Sequence, residues 1–246
     1  SALAVEISWM HVQHREYGNR KSLDRLGFGL IDERGNYVTD NRNVKDVKLY
    51  DLNKNEMKLA PLNFNSVDEI FGTYDSKNSQ WLYNKTWQFD SWFSTEINQP
   101  LNSGRYWLKV TTTDGKIIER TFAFNKRIEL PVIDSDTLQL QSDTYGNLVW
   151  TWNLPLELGQ LALNHKTRAR ASIDIFKDKK NVGYFSIILP VHLAYVVIPA
   201  DVAQAISQKG DRFEFKVQIE TKDKNNRTYS RPLIVKEMPP IPHNKM

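Results

Sequence analysis

Seven tryptophans, at positions 9, 81, 87, 92, 107, 150 and 152, are the residues whose type and spacing most invite chemistry. Along Trp81–Phe93 an extended backbone puts Trp81, Tyr83, Trp87, Phe89 and Phe93 on one face. A flat aromatic face stacks the C–H faces of sugar rings, while neighbouring Asn, Gln and Asp side chains bond the hydroxyls. The same face also fills a β-core, and Asn84, Thr86, Gln88 and Asp90 opposite it suit solvent. Trp92 falls on that polar face. Trp107 is out of phase with Tyr106, Leu108 and Val110 and lies beside Lys109. Trp92 and Trp107 are therefore the expected exposed pair, with Trp87 and Trp81 completing a candidate ligand platform.

Other chemistry finds less support. On a strand His11 and His14 face opposite sides and cannot chelate together, and a zinc site needs three or four convergent ligands. Asp134/Asp136 and Asp174/Asp178 are acidic pairs of the kind that usually meet only water. The chain has no cysteine, nucleophile elbow, glycine-rich phosphate loop or His–Glu–x–x–His. A glycosidase needs two carboxylates across a cleft, which spacing alone does not supply. Residues 15–25 form the most polar loop candidate and read as a solvated turn. The expectation is a non-catalytic protein without metal or cofactor.

Composition agrees with a globular chain: 40% hydrophobic and 25% charged over 246 residues. The formal charge is +4. It is spread as 18 basic and 17 acidic groups in residues 1–130, and 15 and 12 in 131–246. Without clustering this is no nucleic-acid footprint. No apolar run is long enough to span a bilayer. Ser1–Ala4 shows neither the charged nor the apolar region of a signal peptide. The absence of cysteine suits an exported protein.

Period-2 alternation dominates, as in Arg212–Glu220, Ala171–Phe176, Val47–Leu52 and Leu138–Leu140. Turn signals separate the runs at 33–36, 113–115, 178–181 and 223–226. Short helices are expected at Ser66–Glu69, from its capping-box spacing, and at Pro199–Ile206. Arg105–Val110 and Arg212–Val217 repeat one pattern, each preceded by an aliphatic residue and a glycine. This divides the chain into domains 1–130 and 131–246, with the joint at 127–131 and a C-terminal tail from about 238.

Leu148–Val–Trp150–Thr–Trp152–Asn–Leu–Pro155 is similar to the second strand of fibronectin type III modules, with Trp152 as core tryptophan. The Phe213/Phe215/Val217 strand resembles that family's sixth strand. Leu101–Tyr106 resembles the tyrosine-corner pattern of immunoglobulin-like folds. The resemblance implies an all-β chain of two tandem immunoglobulin-like or fibronectin-III-like sandwiches with short crossover helices. Trp152, Trp150, Tyr106, Phe213 and Phe215 are then core.

The function that follows is an exported binding or spacer protein of the periplasm or cell surface, contacting a protein or polysaccharide. The alternatives are a carbohydrate-binding module using the first domain's tryptophans, and a two-domain periplasmic chaperone of the pilus-assembly type. An exposed pair predicts that Trp92→Phe and Trp107→Phe each remove a component of acrylamide-quenchable fluorescence. Buried indoles lose none.

Overall fold

The computed structural model describes residues 5–38, 43–126, 130–158 and 167–240. Among these, the first half contributes strands β1 (Val5–Tyr17), β2 (Leu23–Asp32), β3 (Val44–Asp51), β4 (Asn63–Asp75), β5 (Gln80–Tyr83), β6 (Gln88–Ile97), β7 (Gly104–Thr112) and β8 (Ile117–Phe124). The second half contributes β9 (Gln139–Ser142), β10 (Leu148–Thr151), β11 (Thr167–Lys177), β12 (Lys180–Leu189), β13 (Tyr195–Ile198), helix α1 (Ala200–Lys209), β14 (Arg212–Thr221), β15 (Asn226–Tyr229) and β16 (Leu233–Val235). The chain is all-β, and no helix among the described residues is long and apolar enough to cross a membrane.

Local chemistry sets many of the turns. Asp32 Oδ1 accepts from the backbone N–H groups of Arg34 and Asn36 at 2.8 and 2.9 Å. Gly35 follows at φ 79°, a conformation that costs glycine nothing. Helix α1 begins after Pro199, whose carbonyl accepts from Ala203 N–H, and buries Val202, Ala203 and Ile206. The phenol of Tyr106 donates to the Asn102 carbonyl at 2.8 Å, closing the corner that its sequence suggested.

The pairing of the strands corrects the expectation of two separate sandwiches. Four strands of the first half run in the order β4-β6-β2-β1, and four of the second in the order β12-β11-β14-β15. These two blocks join through parallel ladders, β4 with β12 and β1 with β15. The result is one sheet that closes on itself as an eight-stranded barrel. Sheets β3-β7-β8 and β13-β10-β9 pack outside it. The first covers a core of Leu26, Phe28, Phe93, Leu49, Leu108 and Val110. The second covers Ile173, Phe185, Phe213, Phe215, Trp150 and Val196. Trp150, Trp152, Tyr106, Phe213 and Phe215 are all buried.

Two local expectations also change. Ser66–Glu69 is not helical but lies within β4, where residues 63–69 pair with β6 and 68–73 with β12. Tertiary pairing overrides a four-residue capping signal. Trp81–Phe93 is not one strand, because it breaks between β5 and β6 at residues 84–87. Trp81, Tyr83 and Trp87 therefore pack on the second half's core, whereas Phe93 lies in the first. Tyr83 Oη donates to the Val197 carbonyl at 2.7 Å, and Lys209 Nζ sits 4.9 Å above the Trp87 ring. Of the expected joint at 127–131, residues 127–129 lie outside the described residues.

Because two ladders and the β5 flap tie the halves together, denaturant unfolding is expected as one transition. Far-ultraviolet dichroism and probes placed in either core should give coincident midpoints. Gly72→Ala should destabilise by about 1–3 kcal/mol. A Cβ there meets the Leu82 carbonyl oxygen at 2.7 Å and the Tyr83 ring at 2.6 Å.

Candidate functional site in the barrel lumen

On each wall strand, alternate residues enter one of the two cores and the residues between them face the barrel's interior. That interior is polar. It encloses a cavity of ≈ 890 Å³, lined by Trp9, His11, Arg15 and Arg25 from β1 and β2. Glu69, Asp90, Trp92 and Ser94 face it from β4 and β6, and Arg170, Asp174, Tyr184, Lys216, Gln218, Arg227 and Tyr229 from the second half. Exposed Ser66, Asn181 and Lys224 carry the lining to solvent. A second hollow of ≈ 990 Å³ lies beside β3 and residues 56–62. None of its lining residues leaves a buried polar atom unpartnered, so the lumen is the stronger candidate.

The β2 wall is shaped to take flat rings. Trp9 lies opposite Gly29 and His11 opposite Gly27 in the β1–β2 ladder. A Cβ at Gly29 would stand 2.3 Å from Trp9 Nε1, and one at Gly27 2.7 Å from His11 Nε2. The indole and imidazole stack at 5.0 Å across these gaps.

Glu220, fully buried, anchors the charged network. Arg168 Nε reaches its Oε1 at 2.6 Å, an Arg170 terminal nitrogen the same oxygen at 3.3 Å, and Arg227 its Oε2 at 2.7 Å. Burial alone would raise this carboxyl. The charges of Arg227, Arg170 and Arg168 reverse that and hold it at about 2. Burial, then the charges of Arg227, Arg15, Lys224 and Arg25, keep the His11 imidazole well below its ordinary 6.5. His11 is thus neutral and sits where four cations converge. Burial would likewise raise the Tyr229 phenol, but Arg15 and Arg227 hold it below its usual value. An Arg227 N–H donates to that phenol at 3.2 Å.

At the β4–β6 wall, burial and then the neighbouring Asp90 push Glu69 up to about 7. Burial also raises Asp90, and Ser186 Oγ donates to Glu69 Oε1 at 3.5 Å. Asp174 is taken by Lys216.

The expected sites fall in different places. Trp92 faces the lumen and is not an outer-surface residue, because β6 belongs to the barrel wall. Trp107 lies on the outer side of β7, half-buried against Tyr50 at 5.2 Å. Trp92 and Trp107 therefore share no face, and Trp81 and Trp87 sit at the junction of the halves. His11 and His14 do face opposite ways. His14 bonds Asp24 and Glu16, both at 2.7 Å, and the Asp24 bond leads in raising its pKa. No group of three metal-ligating side chains occurs among the described residues. The polar stretch 15–25 is not simply a solvated turn, since Arg15 and Arg25 at its ends enter the lumen.

Sequence reasoning missed Arg15, Arg25, Arg170, Gln218, Glu220 and Arg227. One signal for them was available. Gly27 and Gly29 stand two apart inside a strand, the mark of something large pressed against the wall.

No family model matches the chain. A stretch of 73 residues is 40% identical to an isoleucine–tRNA ligase of Erwinia tasmaniensis, covering 28% of this chain and 8% of that protein. The chain thus spans a small fraction of that relative's length. Among solved structures it is similar to the FN1–FN3 domains of chicken CNTN1, with TM-score 0.32 and 9% identity over 96% of this chain and 65% of that one. It is also similar to Tp47, the 47-kilodalton lipoprotein of Treponema pallidum, with TM-score 0.34 and 11% identity over 92% and 50% of the two chains.

Glu220→Gln should destabilise by about 3–5 kcal/mol, because it strips the shared charge from three largely buried guanidiniums. The wild-type advantage is complete above the unfolded carboxyl's pKa, about 4.3, and is lost as pH falls through about 2. Glu69→Gln should act in the opposite sense. A raised carboxyl pKa costs stability as pH rises from the unfolded carboxyl's value, about 4.3, to about 7, so the variant gains on wild type across that window and keeps the full gain above it. Urea unfolding at pH 3, 5 and 8 reads both effects.

Proposed function

We propose that the chain is a non-catalytic binding protein whose lumen takes a small polar ligand. The observation carrying this reading is a cavity of ≈ 890 Å³ inside a closed barrel, lined by charged groups and two tryptophans. An eight-stranded barrel has room for little more than its own side chains or one small ligand. Recognition sites place a few fixed polar groups beside aromatic surface, as Trp92 stands here beside Asn65, Asp90 and Ser94. The same grouping favours a sugar as the second reading, now inside the barrel.

On this reading each half derives from an immunoglobulin-type sandwich, with the large sheets lent to the barrel. The orders β1-β2-β6-β4 and β3-β7-β8 match the ABED and CFG sheets of that fold. The orders β9-β10-β13 and β12-β11-β14-β15 suit the fibronectin type III resemblance of residues 131–237. Export to the periplasm or cell surface belongs to the same proposal. A pilus-type chaperone needs a free edge strand to lend, and the edges of the large sheets are already paired with each other.

Indole ¹⁵N–¹H signals test the proposal, with Trp107 as an internal control on the outer surface. Titration with maltose, citrate and spermidine should move the Trp92 signal with at least one of them and leave Trp107 in place. A panel that leaves Trp92 untouched, or moves Trp107 alone, overturns lumen binding.

A further inference from the structure

Five guanidiniums, those of Arg15, Arg25, Arg168, Arg170 and Arg227, gather on the walls of β1, β2, β11 and β15. The ion pairs they make among the described residues all go to one carboxylate, Glu220. Arg15 donates twice to Gln13 Oε1, at 2.9 and 2.7 Å, and Arg25 once to Ser94 Oγ at 2.6 Å. Both acceptors are neutral. Arg25 stands directly opposite Gln13 in the β1–β2 ladder, so two cations flank one carboxamide, and on its other side Arg25 faces the exposed Glu96 of β6. Of the lumen's other carboxylates, Asp174 is engaged by Lys216, and Glu69 and Asp90 lie on the β4–β6 wall.

Like charges gathered on facing walls repel one another unless something compensates them. Unpartnered polar atoms mark the same region. Gln218 is 2% exposed and lines the cavity; its Nε2 donates to Ser172 at 3.1 Å, and its Oε1, an acceptor, is unpartnered. The Nε of Arg170, the Nε of Arg227 and Nε2 of the fully buried Gln13 are also without partners. Buried donors left unmade are uncommon in native proteins and point to a missing bonding group.

We infer that the lumen binds a small multivalent oxyanion, its phosphate or clustered carboxylate groups held by Arg15, Arg25 and Arg227 and its remaining body lying along Trp92. The inference rests on the lumen-binding reading and adds the charge class of the ligand. Planar guanidiniums meet phosphate and carboxylate oxygens through paired, charge-assisted hydrogen bonds. Exposed Lys224 extends the same field to the mouth, where it would draw an anion in.

Pyrophosphate and citrate are the probes, at constant ionic strength, with maltose and sodium chloride as controls. Three readouts apply: the thermal midpoint, the Trp92 indole signal and the ring resonances of His11. Either oxyanion should raise the midpoint and move Trp92. It should also bring the His11 pKa up towards its ordinary value, because the anion cancels the cations around that ring. A response to pyrophosphate alone assigns a phosphate ligand, and one to citrate alone a polycarboxylate. Arg25→Gln should weaken binding about tenfold or more. It should also raise the midpoint of the ligand-free protein by relieving repulsion from Arg15. Lys224→Gln, at an exposed position, should weaken binding less and slow association. Oxyanions without effect, or with equal effect on wild type and both variants, overturn the inference. If maltose still moves Trp92 in that case, lumen binding stands and only the oxyanion falls.

Discussion

Everything in this molecule depends on the fate of four strand edges. A four-stranded sheet has two unpaired margins, and an exposed margin recruits other chains. Here β1 and β4 bound the first half's large sheet, and β12 and β15 bound the second's. Pairing β4 with β12 and β1 with β15 satisfies all four at once. Both ladders are parallel, a pairing that sequence neighbours joined by a tight hairpin cannot make. Only two halves facing each other supply it, and once made it fixes the lumen as the space between them.

A lumen made this way inherits the faces that isolated sandwiches would turn to water. Those faces are polar for good reason, yet closure takes most of their water away. The chain meets the resulting cost by pairing inside the barrel: three guanidiniums on Glu220, and Lys216 on Asp174. The pairing is incomplete on the β1–β2 side. Glycines there make room for Trp9 and His11 instead of filling the space with aliphatic side chains. Selection for stability alone would favour a filled apolar barrel, since buried ion networks rarely outdo hydrophobic packing. The retained polarity is therefore better explained by use than by folding.

Much of the local structure was legible in the sequence. The alternation of Arg212–Glu220 gives β14, the turn signal at 33–36 follows β2, that at 223–226 runs up to the first residue of β15, and Pro199 opens α1. Tyr106 makes the corner hydrogen bond that its motif suggests. What alternation does not encode is whether the polar face of a strand meets water or another sheet's polar face. Lys216, Gln218 and Glu220 look solvated in sequence, yet the last two are 2% and 0% exposed. The same blindness put Trp92 on an outer surface. It also joined Trp81 and Trp87 to Phe93 across residues 84–87, where the strand is broken and the two aromatics turn to the second half's core.

The repeated motif shows how one local pattern takes two roles. Arg105–Val110 forms β7, and Arg212–Val217 forms β14, with Tyr106 and Phe213 both buried. Strand β7 belongs to an outer sheet, so the residue after Tyr106 points away from the barrel, and Trp107 leans on Tyr50 there. Strand β14 belongs to the barrel wall, so the residue after Phe213 shares the polar side of the sheet, where Glu214 pairs with Arg212. If each half derives from one sandwich type, the two present opposite sheets to each other. An indole at Glu214 would then enter the wall's charged face, and a carboxylate at Trp107 would lose its ring contact. The two copies differ at this position because their surroundings do, and the sequence difference records which sheet each half turned inward.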